Sequence, residues 1–567
     1  MPGGSGFTTQ VAIVGGGPVG LVLALYLDFY GIKSTLFNTG QTERWHPKGN
    51  GQNARTMEHY RQLGFSDEVR QLGLPGDHPF DQAYFTRLSA HEIYRFPMPG
   101  RDERIAMRRA MPVTDQLPEP MFHVNQMYVE RYLLERARNC PFIDVRFGWH
   151  VHGFTQREDR VTLMVRKTDG SQGATWTAPY AVGCDGGRSL VRTRLGIAYE
   201  GDVQTKDAYW AGQFFSIHMR IPDLYPNFVG HRRAWMYWAI NPDPHTRGVI
   251  IALNGIDEFM MLVKPSRGRT DVDTAEVAGW VQRSIGADIP VEIIGYYPWS
   301  AGQALVAERY KAGRVMITGD AAHLFTPTGG FGMNTGIDDV ANLSWKLAAV
   351  LQGWAGPRLL DSYETERKPI GYRNTGASRK YAARMHDAVV PEDVEADGPA
   401  GQAARRAASE MSYVRKNHFV RPEEDDGVGV QLGARYDGSP IIVADGEPPP
   451  DVFPETYDRY VPSGLPGGRA PHLWLDGARV MGSSLFDRFG RGFTLLRLAP
   501  SAADAAPLQA AAAARGIPLA VLDVTLPEGR ELYGRDLALI RPDQYIAWRG
   551  DRLPSDFNAL LARVTGH

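Results

Sequence analysis

A glycine-rich run at residues 15–20, Gly-Gly-Gly-Pro-Val-Gly, fits the pattern G-x-G-x-x-G. In that pattern Gly15 makes a tight turn, Gly17 lets the backbone approach a pyrophosphate, and Gly20 packs a helix on a strand. Amides at the start of the helix that Pro18 opens then face the phosphates. A purely structural turn is the alternative. Because the run follows a strand and begins a helix, it predicts dinucleotide binding.

The position that should bind the adenosine ribose departs from this pattern. A carboxylate is expected about 20 residues after the turn, where it accepts hydrogen bonds from the ribose hydroxyls. Here the chain reads Leu-Phe-Asn at residues 36–38, so Asn38 occupies that position. An amide can donate or accept a hydrogen bond, but it lacks the charge-assisted bond of a carboxylate. We therefore expect Asn38 to weaken adenosine binding.

A second polar turn follows the apolar run 180–182. Residues 183–192 read Gly-Cys-Asp-Gly-Gly-Arg-Ser-Leu-Val-Arg, which places Asp185 at the end of a strand. Its carboxylate and the adjacent backbone could bind ribose or pyrophosphate in the crevice at the strand ends. An Asx turn that leads into a helix explains the same residues without a ligand. This motif alone leaves both interpretations open.

A third turn, Gly-Asp at residues 319–320, ends the apolar run 314–318, and a glycine-rich segment follows at 327–336. The glycines would let the backbone lie flat against a planar ligand. The next helix would direct its N-terminal amides at that ligand, and a reduced flavin carries negative charge that such amides stabilise. His323 could take part in acid–base chemistry, but a packed, hydrogen-bonded histidine is the simpler interpretation.

The elements around these turns predict an α/β chain. Residues 10–14 are typical of a buried parallel strand, and a helix is expected from about Pro18 to Tyr30. A strand over residues 34–37 completes a βαβ unit. The region 75–120 is rich in Pro, Met and Arg and indicates a loop or an inserted subdomain. Short apolar and aromatic runs indicate an antiparallel sheet over the nucleotide domain, at residues 209–219, 234–240 and 248–253.

Past residue 430 the pattern changes to a separate small α/β unit. Strand-like runs flank an Ala-rich helix near residues 502–515, at 493–496, 519–522, 537–540 and 545–548. We therefore predict three regions. They are a catalytic region 1–395 with substrate segments inserted at about 75–120 and 195–295, a linker 396–430, and a C-terminal domain 431–567.

Composition argues against several classes of protein. The 567 residues carry a formal net charge of −2, so no basic field for nucleic acid or anionic lipid is evident. The apolar stretch 11–27 lacks a preceding basic segment and is interrupted by Gly-Gly-Gly-Pro, so we expect neither a signal peptide nor a membrane span. Only Cys140 and Cys184 occur, which argues against a disulfide framework and favours a cytoplasmic location.

The three turns, in this order, resemble the class A (single-component) FAD-dependent aromatic hydroxylases over about residues 8–370. The chain is similar to the branch of phenol and 2,4-dichlorophenol 6-monooxygenases and polyketide-tailoring hydroxylases. The segments 466–472, 541–544 and 547–550 match the C-terminal extension of that branch. The resemblance implies a Rossmann-like FAD-binding domain of the para-hydroxybenzoate-hydroxylase type, an inserted antiparallel substrate sheet and a C-terminal thioredoxin-like domain. No cysteine lies beyond Cys184, so that domain cannot exchange disulfides, and we expect it to be structural or oligomer-forming.

The resemblance implies a role for each matching position. Asp185 would serve both FAD and the nicotinamide donor, Asp320 would bind the ribityl chain, and the carbonyl of Pro327 would face the substrate. The implied cofactor-binding residues are Gly15, Gly17, Pro18, Gly20, Asn38, Lys48, Arg55, Gln126, Asp185, Asp320, Gly332, Met333 and Asn334.

The implied reaction is ring hydroxylation of a phenol-like or hydroxypyridine-like molecule with NADPH or NADH and O2, through a flavin C4a-hydroperoxide. Phenols ionise at about pH 10, so an enzyme group should accept the hydroxyl proton. We expect Tyr237 to be a substrate partner and catalytic residue, with Asn50 and Gln213 as weaker substrate candidates. For Tyr237, an aromatic side chain packed in the core is the alternative. We further expect a homo-oligomer.

Competing functions remain open at this point. A flavin-dependent halogenase should carry Trp-x-Trp-x-Ile-Pro, but residues 236–241 read Met-Tyr-Trp-Ala-Ile-Asn. A flavin-dependent dehydrogenase or reductase shares the nucleotide-binding turns, as does a non-catalytic FAD-binding protein. A colourless purified chain that consumes no NAD(P)H would favour the last of these.

Overall fold

The computed structural model describes residues 8–42, 45–202, 212–243, 247–264, 271–301, 303–384, 389–411, 414, 427–448, 457 and 459–567. The helices are α1 Pro18–Phe29, α2 Ala54–Gln62, α3 Ser66–Arg70, α4 Arg101–Ala110, α5 Gln126–Arg138, α6 Leu190–Arg194, α7 Thr274–Ile285, α8 Phe331–Leu351, α9 Asp361–Arg384, α10 Gly398–Ser409, α11 Val428–Leu432, α12 Ala506–Ala514, α13 Pro527–Tyr533 and α14 Phe557–Val564.

The strands alternate with these helices along the chain. They are β1 Val11–Val14, β2 Ser34–Asn38, β3 Gly51–Gln52, β4 Gln82–Phe85, β5 Glu92–Phe96, β6 Phe122–His123, β7 Ile143–Phe147, β8 Trp149–Gln156, β9 Val161–Lys167, β10 Gly173–Ala178, β11 Tyr180–Gly183, β12 Tyr199–Asp202, β13 Gly212–Arg220, β14 Met236–Ala239, β15 Gly248–Ala252, β16 Glu258–Val263, β17 Glu292–Ala301, β18 Ala304–Ala307, β19 Lys311–Ala312, β20 Val315–Ile317, β21 His323–Leu324, β22 Phe493–Arg497, β23 Leu519–Asp523, β24 Leu537–Ile540 and β25 Ile546–Gly550.

The nucleotide sheet has six strands in the order β19-β20-β11-β1-β2-β7. All neighbours pair in parallel except β19, which is antiparallel to β20. Strand β1 is buried along its whole length, because helix α1 packs on one face of the sheet and the antiparallel strands β8 and β10 pack on the other. The carboxyl ends of β1, β11 and β20 therefore meet at one edge, and each leads into one of the three polar turns. The predicted α/β architecture is confirmed.

A second sheet, which we call the covering sheet, has the strand order β17-β13-β16-β15-β14-β4-β5. Its neighbours are antiparallel except β14 and β4, where Met236 pairs with Gln82 in parallel. Strands from the segment near 75–120 thus join strands from 212–301 in one layer. Helix α7 packs on the outer face, where Trp280 contacts Phe215 with ring centroids 5.4 Å apart.

The C-terminal domain has a four-stranded sheet in the order β23-β22-β24-β25. Strands β22 and β23 are parallel, and β24 is antiparallel to both β22 and β25. With α12 between β22 and β23, α13 before β24 and α14 after β25, this is the expected thioredoxin-like topology. Within the part of the chain that the structure describes, no helix is long and apolar enough to cross a membrane.

Candidate functional site

The first turn has the geometry that the glycine pattern requires. Gly15 has a φ of +116°, and an added Cβ would lie 2.2 Å from the carbonyl oxygen of Cys184, so no side chain fits there. An added Cβ at Gly20 would lie 2.0 Å from the carbonyl oxygen of Gly15, which shows how closely helix and strand approach. At Gly17 no described heavy atom lies within 4 Å of such a Cβ, and this open space at the helix N-terminus suits a pyrophosphate. Pro18 occupies the first helical turn, where its missing N–H costs nothing.

Asn38 lies at the end of β2, beside this turn. Its Oδ1 accepts a hydrogen bond from the amide of Gly16 at 3.3 Å, and its Nδ2 lies 3.5 Å from the carbonyl oxygen of Gly40. The side chain therefore stabilises the turn, while its half-buried amide remains next to the crevice. Contact with a ribose stays a prediction.

Asp185 lies in the turn after β11, and its carboxylate is held by its own segment. Oδ1 accepts from the Ser189 hydroxyl at 2.5 Å, and Oδ2 accepts from the amide of Val191 at 3.1 Å. Burial raises the pKa of Asp185, and these hydrogen bonds oppose that shift. The geometry is that of a turn that caps a short helix, and a contact with the cofactor or the nicotinamide donor remains a prediction.

Asp320 lies at the end of β20, and its side chain points into a cleft. It is exposed by accessible area, yet enough protein surrounds it that burial raises its pKa, with His323 and Lys48 acting in the opposite direction. A side chain that is both accessible and enclosed lines a concave site. A Cβ added at Gly332 would lie 3.9 Å from Oδ1 of Asp320, so this carboxylate adjoins the start of α8.

The N-terminus of α8 completes the cleft. Gly330 precedes the helix with a φ of +62°, and no described side chain caps it, so the first amides are left for a ligand. Gly332 and Met333 are half-buried in this first turn. The side chain of Asn334 instead joins the start of α8 to the segment 51–53. Its Oδ1 accepts from the amide of Asn53 at 2.9 Å, and its Nδ2 donates to the carbonyl of Gly51 at 3.0 Å.

Lys48 lies near Asp320, and Gln126 begins α5 beside the loop that carries Lys48. Lys48 is exposed, and its charge acts on Asp320. The Gln126 amide nitrogen donates to the carbonyl of Gly49 at 2.8 Å, and its Nε2 donates to Glu130 at 2.5 Å. The loop at 48–50 and the start of α5 therefore lie together, and the contact of Lys48 and Gln126 with a bound cofactor remains a prediction.

Arg55 requires a correction. The side chain is only 2% exposed, and it donates to Asp338, to Glu58 and to the turn at 543–544. These carboxylates and carbonyls accept from all three nitrogen atoms of the guanidinium group, so protein groups and not a cofactor hold this side chain. The sequence pattern could not show this, because Asp338, Asp543 and Gln544 lie hundreds of residues away along the chain.

Tyr237 also requires a correction. Its hydroxyl is fully buried, accepts from the amide of Ala234 at 2.8 Å and shares a hydrogen bond with Tyr225. Along β14 alternate side chains point to opposite faces. Trp238 lies on the face towards the nucleotide domain, so Tyr237 packs on the outer face with Phe85. The structure therefore supports the packed-aromatic alternative.

For the other substrate candidates the structure gives only contacts within the chain, so their contact with a substrate stays a prediction. Asn50 is half-buried, and its Oδ1 accepts from Nδ2 of Asn125 at 2.6 Å. The carbonyl of Pro327 accepts from the amide of Gly330 at 3.1 Å and has a second lone pair. Gln213 lies in β13, but its side chain is outside the described residues.

One functional group of residues went unrecognised in the sequence. Asp339 on α8 accepts from His323 Nε2 at 2.6 Å and from the amide of Gly319 at 3.4 Å, so it anchors the turn that carries Asp320. His323 is thus the packed histidine that the sequence favoured. The available signal was an Asp-Asp pair at 338–339 between the apolar residues Ile337 and Val340 of the predicted helix.

Comparisons with known proteins agree with this geometry. The "FAD binding domain" family matches residues 8–378, and the family "Aromatic-ring hydroxylase, C-terminal" matches residues 463–567. FAD-dependent monooxygenase apdD of Emericella nidulans is 31% identical, over 98% of this chain and 90% of that protein. The 2,4-dichlorophenol 6-monooxygenase of Cupriavidus pinatubonensis is 30% identical, over 97% of this chain and 94% of that protein. The solved rebeccamycin biosynthetic enzyme RebC with reduced flavin superimposes with a TM-score of 0.84 at 33% identity, covering 98% of this chain and 99% of that one.

Proposed function

Because the chain belongs to the FAD-binding aromatic-ring hydroxylases and is an FAD-dependent monooxygenase, we propose that it hydroxylates the ring of a phenol-like or hydroxypyridine-like secondary metabolite. The donor is NADPH or NADH, and O2 supplies the oxygen atom. Relatives that act on a chlorophenol, and a structural neighbour from rebeccamycin biosynthesis, support this class of substrate.

A single observation supports the proposal most strongly. The open space at Gly17, the enclosed carboxylate of Asp320 and the uncapped start of α8 lie at one edge of the nucleotide sheet. A dinucleotide with a charged pyrophosphate, a polyol chain and a planar ring system needs these three environments in one cleft. The residues therefore fit FAD.

Bound FAD supplies the redox chemistry, in which the nicotinamide donor provides electrons and O2 is activated. The chain provides the setting. The amides at Gly332 and Met333 stabilise negative charge on the cofactor. Asp320 accepts hydrogen bonds from its hydroxyls. We propose that the carbonyl of Pro327 accepts a hydrogen bond from the substrate hydroxyl and that the side-chain amide of Asn50 donates one to the substrate oxygen.

The covering sheet excludes water from this reaction. Its face towards the nucleotide domain carries buried side chains, including Met236, Trp238, Ile251 and Met260. Met260 touches the cleft wall, since its sulfur lies 3.6 Å from Nδ2 of Asn50. Such a wall keeps activated oxygen away from bulk solvent, so that it is transferred to the ring and not released as peroxide.

We also propose a homo-oligomer. Apolar side chains cluster on the surface where Arg479 donates to the carbonyl of Pro112 at 3.0 Å, and they are Met107, Met111, Val480 and Met481. Exposed apolar patches of this kind mark protein contacts. Light scattering on the purified chain measures the mass directly.

The function is tested by reconstituting the purified chain with FAD and following NADPH and NADH oxidation with a panel of phenols and hydroxypyridines. A substrate should stimulate oxidation and give hydroxylated product in proportion to the donor consumed. Donor consumption that gives only peroxide with every compound identifies effectors and leaves the substrate class unsupported. A chain that never binds FAD contradicts the proposal.

A further inference from the structure

We propose that the C-terminal thioredoxin-like domain helps to set the affinity for FAD, through a buried network of charged side chains that ends at the Gly319–Asp320 turn. This gives a function to a domain that has no cysteine and therefore no thiol chemistry. The proposal rests on FAD binding in the cleft described above. It concerns how that binding is controlled by a distant part of the chain.

The network begins at Asp339, which holds the turn. Its Oδ2 accepts from Nε2 of His323 at 2.6 Å and lies 3.4 Å both from the amide of Gly319 and from the hydroxyl of Thr318. Gly319 has a φ of +59°, a left-handed conformation that a tight turn needs and that glycine adopts readily. The carboxylate is fully buried, so water does not compete for these bonds. A shift of Asp339 would therefore move Asp320.

The middle of the network is Arg367 on α9. Its Nε donates to Oδ1 of Asp339 at 2.8 Å, and its Nη1 donates to Oδ2 of Asp338 at 2.5 Å. The Oδ1 of Asp338 accepts in turn from His59 at 2.9 Å and lies 3.3 Å from Nε of Arg55. One guanidinium thus fixes both adjacent carboxylates of the helix whose N-terminus lines the FAD cleft.

Two contacts connect this centre to the C-terminal part of the chain. Nη1 of Arg367 donates to the hydroxyl of Tyr436 at 3.1 Å, and the Tyr436 ring stacks on Tyr545 with centroids 4.1 Å apart. Arg55 donates to Oε1 of Gln544 at 2.6 Å and to the carbonyl of Asp543 at 2.7 Å. Residues 543–545 lie in the tight connection, residues 541–545, between β24 and β25.

The backbone of this connection is itself unusual. Gln544 has a φ of +68°, a conformation that costs a residue other than glycine free energy and persists only where its surroundings require it. Here Arg55 binds its side chain, and the amide of Ala470 donates to its carbonyl at 2.9 Å. The C-terminal domain therefore contacts the nucleotide domain through a turn whose backbone conformation is fixed by its neighbours.

These contacts predict energetic coupling. Ion pairs in a buried environment have few alternative arrangements, because an uncompensated charge there is costly. FAD binding requires one position of the Gly319–Asp320 turn, and the network favours one position of Asp339. Loosening the network at its C-terminal end should therefore lower FAD affinity, although no altered residue touches the cofactor.

Two conservative substitutions test this at the far end. Tyr436→Phe removes the hydroxyl that binds Arg367 and keeps the ring. Gln544→Asn keeps a residue type that tolerates positive φ, but its shorter amide does not reach Arg55. Asp339→Asn serves as the reference at the cofactor end. Arg530→Ala is the matched control, because Arg530 pairs with Asp536 on the C-terminal domain outside the network.

The readouts are the Kd for FAD, from fluorescence of the cofactor titrated with apoprotein, and the rise in Tm that FAD produces. We expect Tyr436→Phe and Gln544→Asn each to raise the Kd about 3- to 10-fold and to reduce the FAD-induced rise in Tm. Asp339→Asn should raise the Kd further, and Arg530→Ala should match the wild type.

A different result overturns the proposal. If Tyr436→Phe and Gln544→Asn lower the Tm of the apoprotein and of the FAD complex equally, with an unchanged Kd, the network only stabilises the fold. An equal loss of FAD affinity in Arg530→Ala would also overturn it, because the effect would then be general. A wild-type chain that bound no FAD would overturn the proposed function and this inference with it.

Discussion

Arg541 donates to both carboxylate oxygens of Glu366, at 2.7 and 2.9 Å, across the contact between the C-terminal domain and α9. Neither side chain has any exposed surface. Lys346 on α8 donates to the same carboxylate at 2.6 Å. Three charged groups from three elements are therefore buried together, and Asp543, which accepts from Nη2 of Arg541 at 2.5 Å, supplies the second negative charge.

Removal of the Glu366 carboxylate should destabilise the whole chain. Glu366→Ala leaves Lys346 buried without its carboxylate partner and leaves Arg541 paired with Asp543 alone. We therefore expect a loss of about 3–5 kcal/mol in the free energy of unfolding, measured with urea. Glu366→Gln, which keeps the shape and part of the hydrogen bonding, should cost less. A loss below about 1 kcal/mol for Glu366→Ala would contradict this account.

The same carboxylates predict sensitivity to acid. Burial alone would raise the pKa of Glu366, but Arg541 and Lys346 outweigh it and hold the pKa below the ordinary 4.5. Burial alone would also raise the pKa of Asp338, but Arg367 and His59 outweigh it and hold that pKa below the ordinary 3.8. A carboxylate whose pKa is lowered in the folded state stabilises the fold at any pH above its ordinary, unfolded pKa. This stabilisation is lost as the pH falls from that value through the lower pKa of the folded state. The Tm should therefore drop steeply below about pH 4.5, and less steeply in Glu366→Gln; equal slopes would count against this assignment.

The two glycines of the first turn should behave differently when substituted. Gly17→Ala has room for its Cβ and an extended backbone, so the apoprotein should keep its Tm. The added methyl fills the space left for the pyrophosphate, so the Kd for FAD should rise about 10-fold or more. Gly15→Ala meets the Cys184 carbonyl and should lower the Tm of the apoprotein. Unchanged FAD binding in Gly17→Ala would show that the pyrophosphate lies elsewhere.

Tyr237→Phe tests which face of the covering sheet contacts the substrate. The substitution removes two buried hydrogen bonds, one from the amide of Ala234 and one with Tyr225, so stability should fall by about 1–3 kcal/mol. Since the side chain packs on the outer face, kcat/KM for the identified substrate should stay within about twofold of the wild type. A loss of about 100-fold in kcat with little change in Tm would restore Tyr237 to the substrate site.

Much of the fold follows from local patterns. The fully apolar strand β1, the glycine turn after it and the helix from Pro18 each carry a signal within a few residues, and the structure has them within one or two residues of the predicted bounds. The thioredoxin-like topology could be expected from the resemblance. The pairing of β4 with β14 could not, because it joins residues more than a hundred positions apart in the chain.

The site was predictable where backbone geometry defines it and not where packing does. Gly15 and Gly20 have the backbone geometry that the motif predicts, because a tight turn and a close approach need glycine, whereas the contact of Asp320 with a cofactor stays a prediction. Which side chains of β14 face the nucleotide domain depends on the strand register. A shift of one residue in that register moves every side chain to the opposite face. Arg55 belongs to a network whose partners lie near residue 544, and no local pattern in the sequence shows that.

The most direct test of the central claim uses the reconstituted FAD enzyme, NADPH and O2 that carries the heavy oxygen isotope. The account predicts a hydroxylated phenol that contains one heavy oxygen atom, formed in proportion to the NADPH consumed. Product with oxygen from water, or NADPH oxidised with every phenol recovered unchanged and oxygen released only as peroxide, would contradict aromatic hydroxylation by this chain.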